Sequence, residues 1–332
     1  MAILVHNVFS EGLMHTLPLL SVLATCLAAL YCTEAGKPSR SAVVVLEMRA
    51  LGSKLPDVDL RNPDTQAGSF FGARERQALA EAHMPTLIDL DFVRAWNNLG
   101  AQRRIFLHVL ARTRAIDDRL CLEIRDGAVQ VVILGAGYDT RAYRMQELLR
   151  RAIIFEVDLP PIQELKKLRV REVLGHAPEN VVFVPTDFTN VDLGTVLPKA
   201  GYHAENRTMF VLEGVSSYLP ESGMDAILSF RNSAPGSAII FDYESERVPR
   251  GDHGDAELKE AMARLARWGE PHVFGLPVGN ARAFVEQRGL SVVADLGPRE
   301  LSREYLTRKN GTLLADAAWN FGVCVARVPG KS

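Results

Sequence analysis

Residues 131–144, VVILGAGYDTRAYR, constrain this chain more than any other stretch. Four apolar residues, Val131 to Leu134, have the length and composition of a buried parallel strand. Gly135-Ala136-Gly137 then forms a turn with almost no side chain, and Asp139, Thr140 and Arg141 stand where a helix should begin. A strand running through a glycine turn into a helix is how an open α/β sheet presents backbone N–H groups to a nucleoside-bearing ligand.

The rest of the chain from residue 129 onward agrees with that architecture. Short apolar runs at 131–134, 153–158, 181–185, 208–214, 238–244, 290–296 and 320–328 alternate with helical segments. This pattern predicts a mostly parallel sheet of about seven strands, with the last two forming an antiparallel edge. Upstream, residues 1–60 read as helical with a break at 34–38. Residues 61–76, RNPDTQAGSFFGARER, read as a mobile or irregular turn-rich segment. Helical periodicity resumes over 92–125, with Ile105, Val109, Ile116 and Leu120 on an inward face. The expected division is a helical N-terminal cover and lid over 1–104, contributing to the substrate pocket, and a sheet-bearing core over 105–332.

Composition narrows the class. Apolar residues make up 47% and the formal net charge is -2, and no basic tract is dense enough for a nucleic-acid partner. Cys26, Cys32, Cys121 and Cys324 are scattered, with neither metal-ligand nor disulfide spacing, so no metal is expected and a cytoplasmic, reducing location is. Leu13 to Tyr31 is apolar, but it contains His15, Thr16, Pro18, Ser21 and Thr25 and no basic residues precede it. It reads as a buried or interface helix rather than a membrane span or signal peptide, and it is a candidate homodimer contact.

Acidic residues recur at strand ends. In the turn after the first strand, Asp139 and Thr140 break the G-x-G-x-x-G pattern that a pyrophosphate requires. Asp139 would repel phosphate and suits an amine or sulfonium, which disfavours a nicotinamide oxidoreductase. The second strand ends in Glu156 and Asp158, about 20 residues past the turn, suited to a ribose diol. Asp187 and Phe188 follow the third strand, where an adenine amine and ring would lie. Glu213 ends the fourth strand beside Gly214, with Tyr218 close behind as a candidate acceptor-side residue.

These segments together resemble one family. ARTRAIDD at 111–118, QVVILGAGYDTRAYR at 130–144, FEVDLP at 155–160, PTDF at 185–188 and EGVSSYLP at 213–220 are similar to the leucine carboxyl methyltransferases, in their bacterial and secondary-metabolism branch. The resemblance runs from about residue 105 to 325. It implies a class I methyltransferase Rossmann-like fold, S-adenosyl-L-methionine as cofactor and S-adenosyl-L-homocysteine as product. It also implies roles for individual residues. Arg112 would meet the methionyl carboxylate; Gly135, Ala136 and Gly137 would form the cofactor turn; Asp158 with Leu159 would take the ribose. Asp187 and Phe188 would flank the adenine, and Glu213 would lie near the methionyl amine, with Asp139 and Arg141 shaping the floor. The implied reaction is O-methylation, most simply of a carboxylate, on a small-molecule or peptide-like acceptor.

Two departures bear on the acceptor: residues 39–60 lack the pattern of bacterial relatives, and Ser217 replaces a bulky apolar residue. N-methylation and phenol or alcohol O-methylation stay open, as does a non-catalytic protein that only binds the cofactor. A carboxylate acceptor needs no general base, whereas a phenol or alcohol usually does. Among the histidines, His253 in the loop after the fifth strand is the candidate base. His108, four residues before Arg112, reads as structural.

Overall fold

The computed structural model describes residues 38–188, 191–229 and 233–330. The Leu13–Tyr31 helix, the interface proposed for it, Cys26 and Cys32 lie outside the described residues. Among the described residues no helix is long and apolar enough to cross a membrane.

Seven strands form one sheet: β1 Gln130–Leu134, β2 Ile153–Asp158, β3 Val181–Pro185, β4 Thr208–Leu212, β5 Ala238–Glu244, β6 Ser291–Leu296 and β7 Phe321–Arg327. Their order is β3-β2-β1-β4-β5-β7-β6. The first five are parallel, and β7 lies antiparallel between β5 and β6. This confirms the expected strand count and antiparallel edge. β1, β4 and β5 are buried along their full length because helices cover both faces, so their sequences are continuous apolar runs rather than alternations.

The period of two sends alternate side chains to opposite cores. Val131, Ile133, Met209, Val211 and Ile240 face one layer with helices α1 Arg40–Ser53 and α2 Arg103–Arg125. Val132, Leu134, Phe210, Leu212 and Ile239 face the other, with Leu197, Ile227 and Val285. Helix α3, Pro160–Leu174, follows β2, and α4, Ala256–Arg267, follows the loop after β5. β6 forms the outer edge; its register slips between Val292 and Ala294, and Val293 is exposed.

Helix α1 shares its apolar cluster with the sheet and packs along α2. Its start is capped twice. Ser39 Oγ accepts from the Ala42 amide, and the Glu270 carboxylate accepts from the amides of Arg40 and Ser41, both at 3.0 Å.

Residues 61–76 are not a loose segment. They include a short helix, Ala67–Phe70, and begin another, Ala73–Glu81, and Asn62, Asp64, Ala67, Phe70 and Glu75 are buried. The turn-forming residues pack inward because their polar groups have partners there. Asp64 accepts from Thr140 Oγ1 at 2.7 Å, and Glu75 accepts from Tyr138 Oη at 2.7 Å and from the Gly72 amide at 2.7 Å.

Candidate functional site

A cavity of about 380 Å³ opens at the carboxyl ends of the strands, where the order reverses between β1 and β4. Ligands of open α/β sheets bind at this point because the loops diverge to either side. The loops after β1, β2, β3 and β4, together with β5 itself and α4, contribute to its wall.

The loop after β1 is a glycine cradle. Gly135 has φ of 70° and Gly137 of 31°, in the left-handed region that favours glycine. A Cβ on Gly135 would stand 2.5 Å from Val215 Cγ2, so the loop after β4 leaves no room for a side chain there. Beneath the turn, Lys166 of α3 is buried and its ammonium donates to the carbonyls of Gly137 at 2.9 Å, Asp139 at 2.7 Å and Ala136 at 3.3 Å. The Gly137 amide donates to Asp158 Oδ2 at 2.7 Å, and the Leu159 amide donates to Asp158 Oδ1 at 2.7 Å. Burial pushes the Asp158 carboxyl upward, and these two amides pull it back. Each of its oxygens accepts one protein hydrogen bond and keeps acceptor capacity for another.

Beside the cradle lies a lattice of buried charge. Arg141 is completely buried and donates to Asp117 at 2.7 Å, Asp139 at 2.6 Å and Glu213 at 2.5 Å. Arg112 of α2 donates through Nε to Glu213 at 2.9 Å and through Nη1 to Asp242 at 2.6 Å. Burial would raise the Glu213 carboxyl, but Arg141 and Arg112 hold it well below the usual carboxylate range. Asp242 and Asp139 are likewise lowered against the effect of burial, by Arg112 and by Arg141 respectively.

This arrangement corrects the expectation that Asp139 presents its charge to a cationic ligand. Its Oδ1 accepts from the Arg141 amide at 2.7 Å and its Oδ2 from the Arg141 guanidinium, so its charge is balanced inside the floor. Arg49 of α1 completes that floor, donating to the Tyr138 carbonyl at 2.7 Å and pairing with Asp64 at 3.3 Å.

Asp187 and Phe188 line the same cavity after β3. Glu156 does not join Asp158 at the ligand face. It accepts from Tyr143 Oη at 2.8 Å and lies 3.3 Å from Lys166, and burial pushes its carboxyl up to about 7.

Elsewhere the wall includes the apolar Met84, Ile105, Met262, Leu265 and Trp268, with Arg104, Glu257, Arg264 and Glu270 among them. Tyr218 also lines the cavity, donating to Ser41 Oγ at 3.1 Å, and burial raises its phenol so that it stays protonated. His253 does not reach the cavity. The turn from Gly251 to Gly254 stays outside, and the next residue, Asp255, caps α4 and pairs with Arg104 at 2.7 Å. The histidine that does line the cavity is His272, whose ring meets Tyr218 edge-on at 4.9 Å and whose Nδ1 lies 2.5 Å from Glu244 Oε2. His108 is buried, stacked on Phe321 at 4.0 Å, and burial lowers its pKa.

Sequence reasoning missed several residues of this site, Asp242, Lys166, His272 and Glu244 among them. Asp242 carried a readable signal, an acid at the end of a strand like Asp158 and Glu213. Lys166 carried a weaker one, since Gln163, Lys166 and Val170 form the buried face of α3 and two of them are polar. Glu244, the last residue of β5, carried the strand-end signal too, whereas His272 had none, because only the fold brings it to Glu244.

The sheet order and the cavity at its switch point define a class I methyltransferase fold. The chain belongs to the leucine carboxyl methyltransferase family, whose model matches residues 42–231. The match begins within α1, so the family likeness takes in residues 42–104, which the sequence motifs had left out.

YktD of Bacillus subtilis, which carries a provisional S-adenosyl-L-methionine-dependent methyltransferase name, is 31% identical over 208 residues, covering 62% of this chain and 68% of the relative. A Streptomyces coelicolor protein with the same provisional name, SCO7813, is 33% identical over 215 residues, covering 63% and 70%. Among solved structures, a provisionally named methyltransferase from Thermobifida fusca superposes with a TM-score of 0.55 at 12% identity, covering 84% of this chain and 97% of that one. The protein is an S-adenosylmethionine-dependent methyltransferase.

Proposed function

We propose that the protein transfers a methyl group to an oxygen of a small acceptor with an apolar body. The observation that carries this reading is one cavity that joins the glycine cradle and buried charges to a wall rich in apolar side chains, with Tyr218 and His272.

The residues at the polar end fit S-adenosylmethionine. The missing side chains at Gly135 and Gly137 leave the backbone open to close approach, and Ala136 between them adds only a methyl group. Asp158 can accept from a ribose diol while keeping its bonds to Gly137 and Leu159. Asp187 and Phe188 would hold the adenine. Arg112 has Nε and Nη1 committed to Glu213 and Asp242, which leaves Nη2 for a carboxylate of the methionyl group. Glu213 lines the same end; two arginines balance its charge, as Arg141 balances that of Asp139, but its oxygens keep acceptor capacity for the methionyl amine.

When bound, S-adenosylmethionine supplies an electrophilic methyl group for in-line displacement. The chain's part is to position the acceptor and exclude water. Tyr218 acts as a donor that orients the acceptor. Residues 38–104 act as a cover, with α1 supplying Ser41 and Val45 to the wall. Titration with S-adenosylhomocysteine, followed by mass analysis of a panel of oxygen and nitrogen acceptors, tests the reading. Methyl ethers or esters support it. Methylation of amines alone overturns the oxygen assignment, and cofactor binding with no product favours a binding-only role.

A further inference from the structure

Glu244 differs from the arginine-paired acids of this site. Asp117, Asp139, Glu213 and Asp242 each pair with an arginine. Glu244 is fully buried at the end of β5, and among the described residues no arginine or lysine pairs with it. Its Oε1 accepts from Asn320 Nδ2 at 2.9 Å, and its Oε2 meets His272 Nδ1 at 2.5 Å. A carboxylate accepts, so Nδ1 carries a proton, and in the neutral imidazole the lone pair is then on Nε2. Nε2 has no protein hydrogen-bond partner among the described residues, and His272 forms part of the cavity wall beside Tyr218.

The pair is not needed to hold its segment in place. The amides of Val273 and Phe274 donate to the Ser217 carbonyl at 2.7 and 3.2 Å, and the Leu276 amide donates to the Glu244 carbonyl at 2.8 Å. What the pair adds is a buried negative charge behind a proton-accepting nitrogen, an arrangement that stabilises imidazolium once it forms.

Building on the methyltransferase reading above, we propose that His272, oriented by Glu244, is the general base of the reaction and that the acceptor is a hydroxyl on an apolar body. An ionised carboxylate has no proton to give a base. It would also meet Glu270 on the wall and Glu244 behind His272, although Arg104 and Arg264 line the same cavity. A hydroxyl gains from both features: its proton passes to His272 Nε2 as its oxygen forms the bond to the methyl carbon. The carbon–sulfur bond breaks with its electrons left on sulfur, and the proton then leaves from imidazolium to solvent. The charged and titratable groups around the pair are Glu244 from β5, Glu270 two residues along the chain, Tyr218 from the loop after β4 and Arg112 from α2, whose charges act on that tyrosine.

The experiment has two arms. Long-range ¹H–¹⁵N spectra of the whole protein with S-adenosylhomocysteine, assigned against His272→Gln, report the tautomer without turnover. Nδ1–H with bare Nε2 near pH 8 is expected; protonated Nε2 there overturns the proposal. The second arm compares methylation of 2-naphthol, 2-naphthoate and 2-naphthylmethylamine. The naphthol should be the acceptor, with kcat near pH 7 falling about 10²- to 10⁴-fold in His272→Gln and less in Glu244→Gln. The deficit should narrow as pH rises and the naphthol ionises by itself, with S-adenosylhomocysteine affinity retained as a check on folding. Preference for the naphthoate or the amine, or a His272→Gln rate equal to wild type, overturns the hydroxyl assignment while leaving methyl transfer standing. Absence of S-adenosylhomocysteine binding in the wild type would instead sink the underlying reading.

Discussion

Arg141 Nη1 and Glu213 Oε2 lie 2.5 Å apart in the floor of the cavity, tying the helix start after β1 to the end of β4. The two strands that flank the switch point are therefore joined by a buried ion pair, and Arg112 attaches α2 to the same carboxylate. Removing one partner leaves the other charge buried and uncompensated. Arg141→Met should lower the unfolding free energy by about 3–5 kcal/mol, measured by urea denaturation. A loss under about 1 kcal/mol would mean that the pair is dispensable.

Acid should act on the same lattice. Glu213, Asp242 and Asp139 have folded pKa values below their unfolded ones. Their contribution to stability is present above the ordinary carboxylate pKa and is lost as pH falls below about 4 toward the folded values. Thermal unfolding should therefore show a steep fall in stability below that pH. In Glu213→Gln the fall should be shallower, although stability at neutral pH is lower.

Glu156 should behave in the opposite sense. Its folded pKa is pushed up to about 7, so the folded state holds its proton more tightly than the unfolded chain does. This costs stability as pH rises from the ordinary carboxylate range through about 7. Glu156→Gln keeps a partner for Tyr143 and should flatten that slope, so the variant gains on wild type at pH 8 compared with pH 5. Equal slopes in differential scanning calorimetry would contradict the assignment.

The glycine cradle makes a steric prediction. Gly135→Ala places a Cβ in the left-handed region and 2.5 Å from Val215 Cγ2. It should destabilise by about 1–3 kcal/mol from backbone strain, with a further loss from the contact. Val215→Ala in the same chain should restore only the second part, and a chemical-denaturation cycle separates the two.

Tyr218→Phe removes the donor that meets Ser41 while leaving the cofactor end intact. Acceptor turnover should change, with S-adenosylhomocysteine affinity held within about twofold of wild type, a difference well under 1 kcal/mol. A selective loss of cofactor affinity in calorimetric titration would contradict an acceptor-side role.

The fold was legible because its determinants are local. Apolar runs bounded by turns marked all seven strands, and the buried parallel strands show little alternation because both faces are covered. Strand-end acids were legible as a type, which is why Asp158 and Glu213 were readable. Their partners were not: Arg141 satisfies three acids that reach it from different elements. Residues 61–76 show the limit of composition, since turn-forming residues look alike whether they are solvated or, like Asn62 and Asp64, packed inside. His272 and Glu244, 28 residues apart, meet because residues 272–276 run beside the end of β5. No periodicity in the sequence encodes that pairing, and the loop histidine at 253 was the more visible candidate.

Calorimetric titration of the wild-type chain and Asp158→Ala with S-adenosylhomocysteine, and of the wild type with NAD, tests the central claim most directly. The account predicts saturable one-site binding of S-adenosylhomocysteine, weakened about 10- to 100-fold by Asp158→Ala through loss of the charge-assisted bonds to the ribose, and no saturable binding of NAD. Saturable binding of NAD alone, or S-adenosylhomocysteine affinity unchanged by Asp158→Ala, would contradict it.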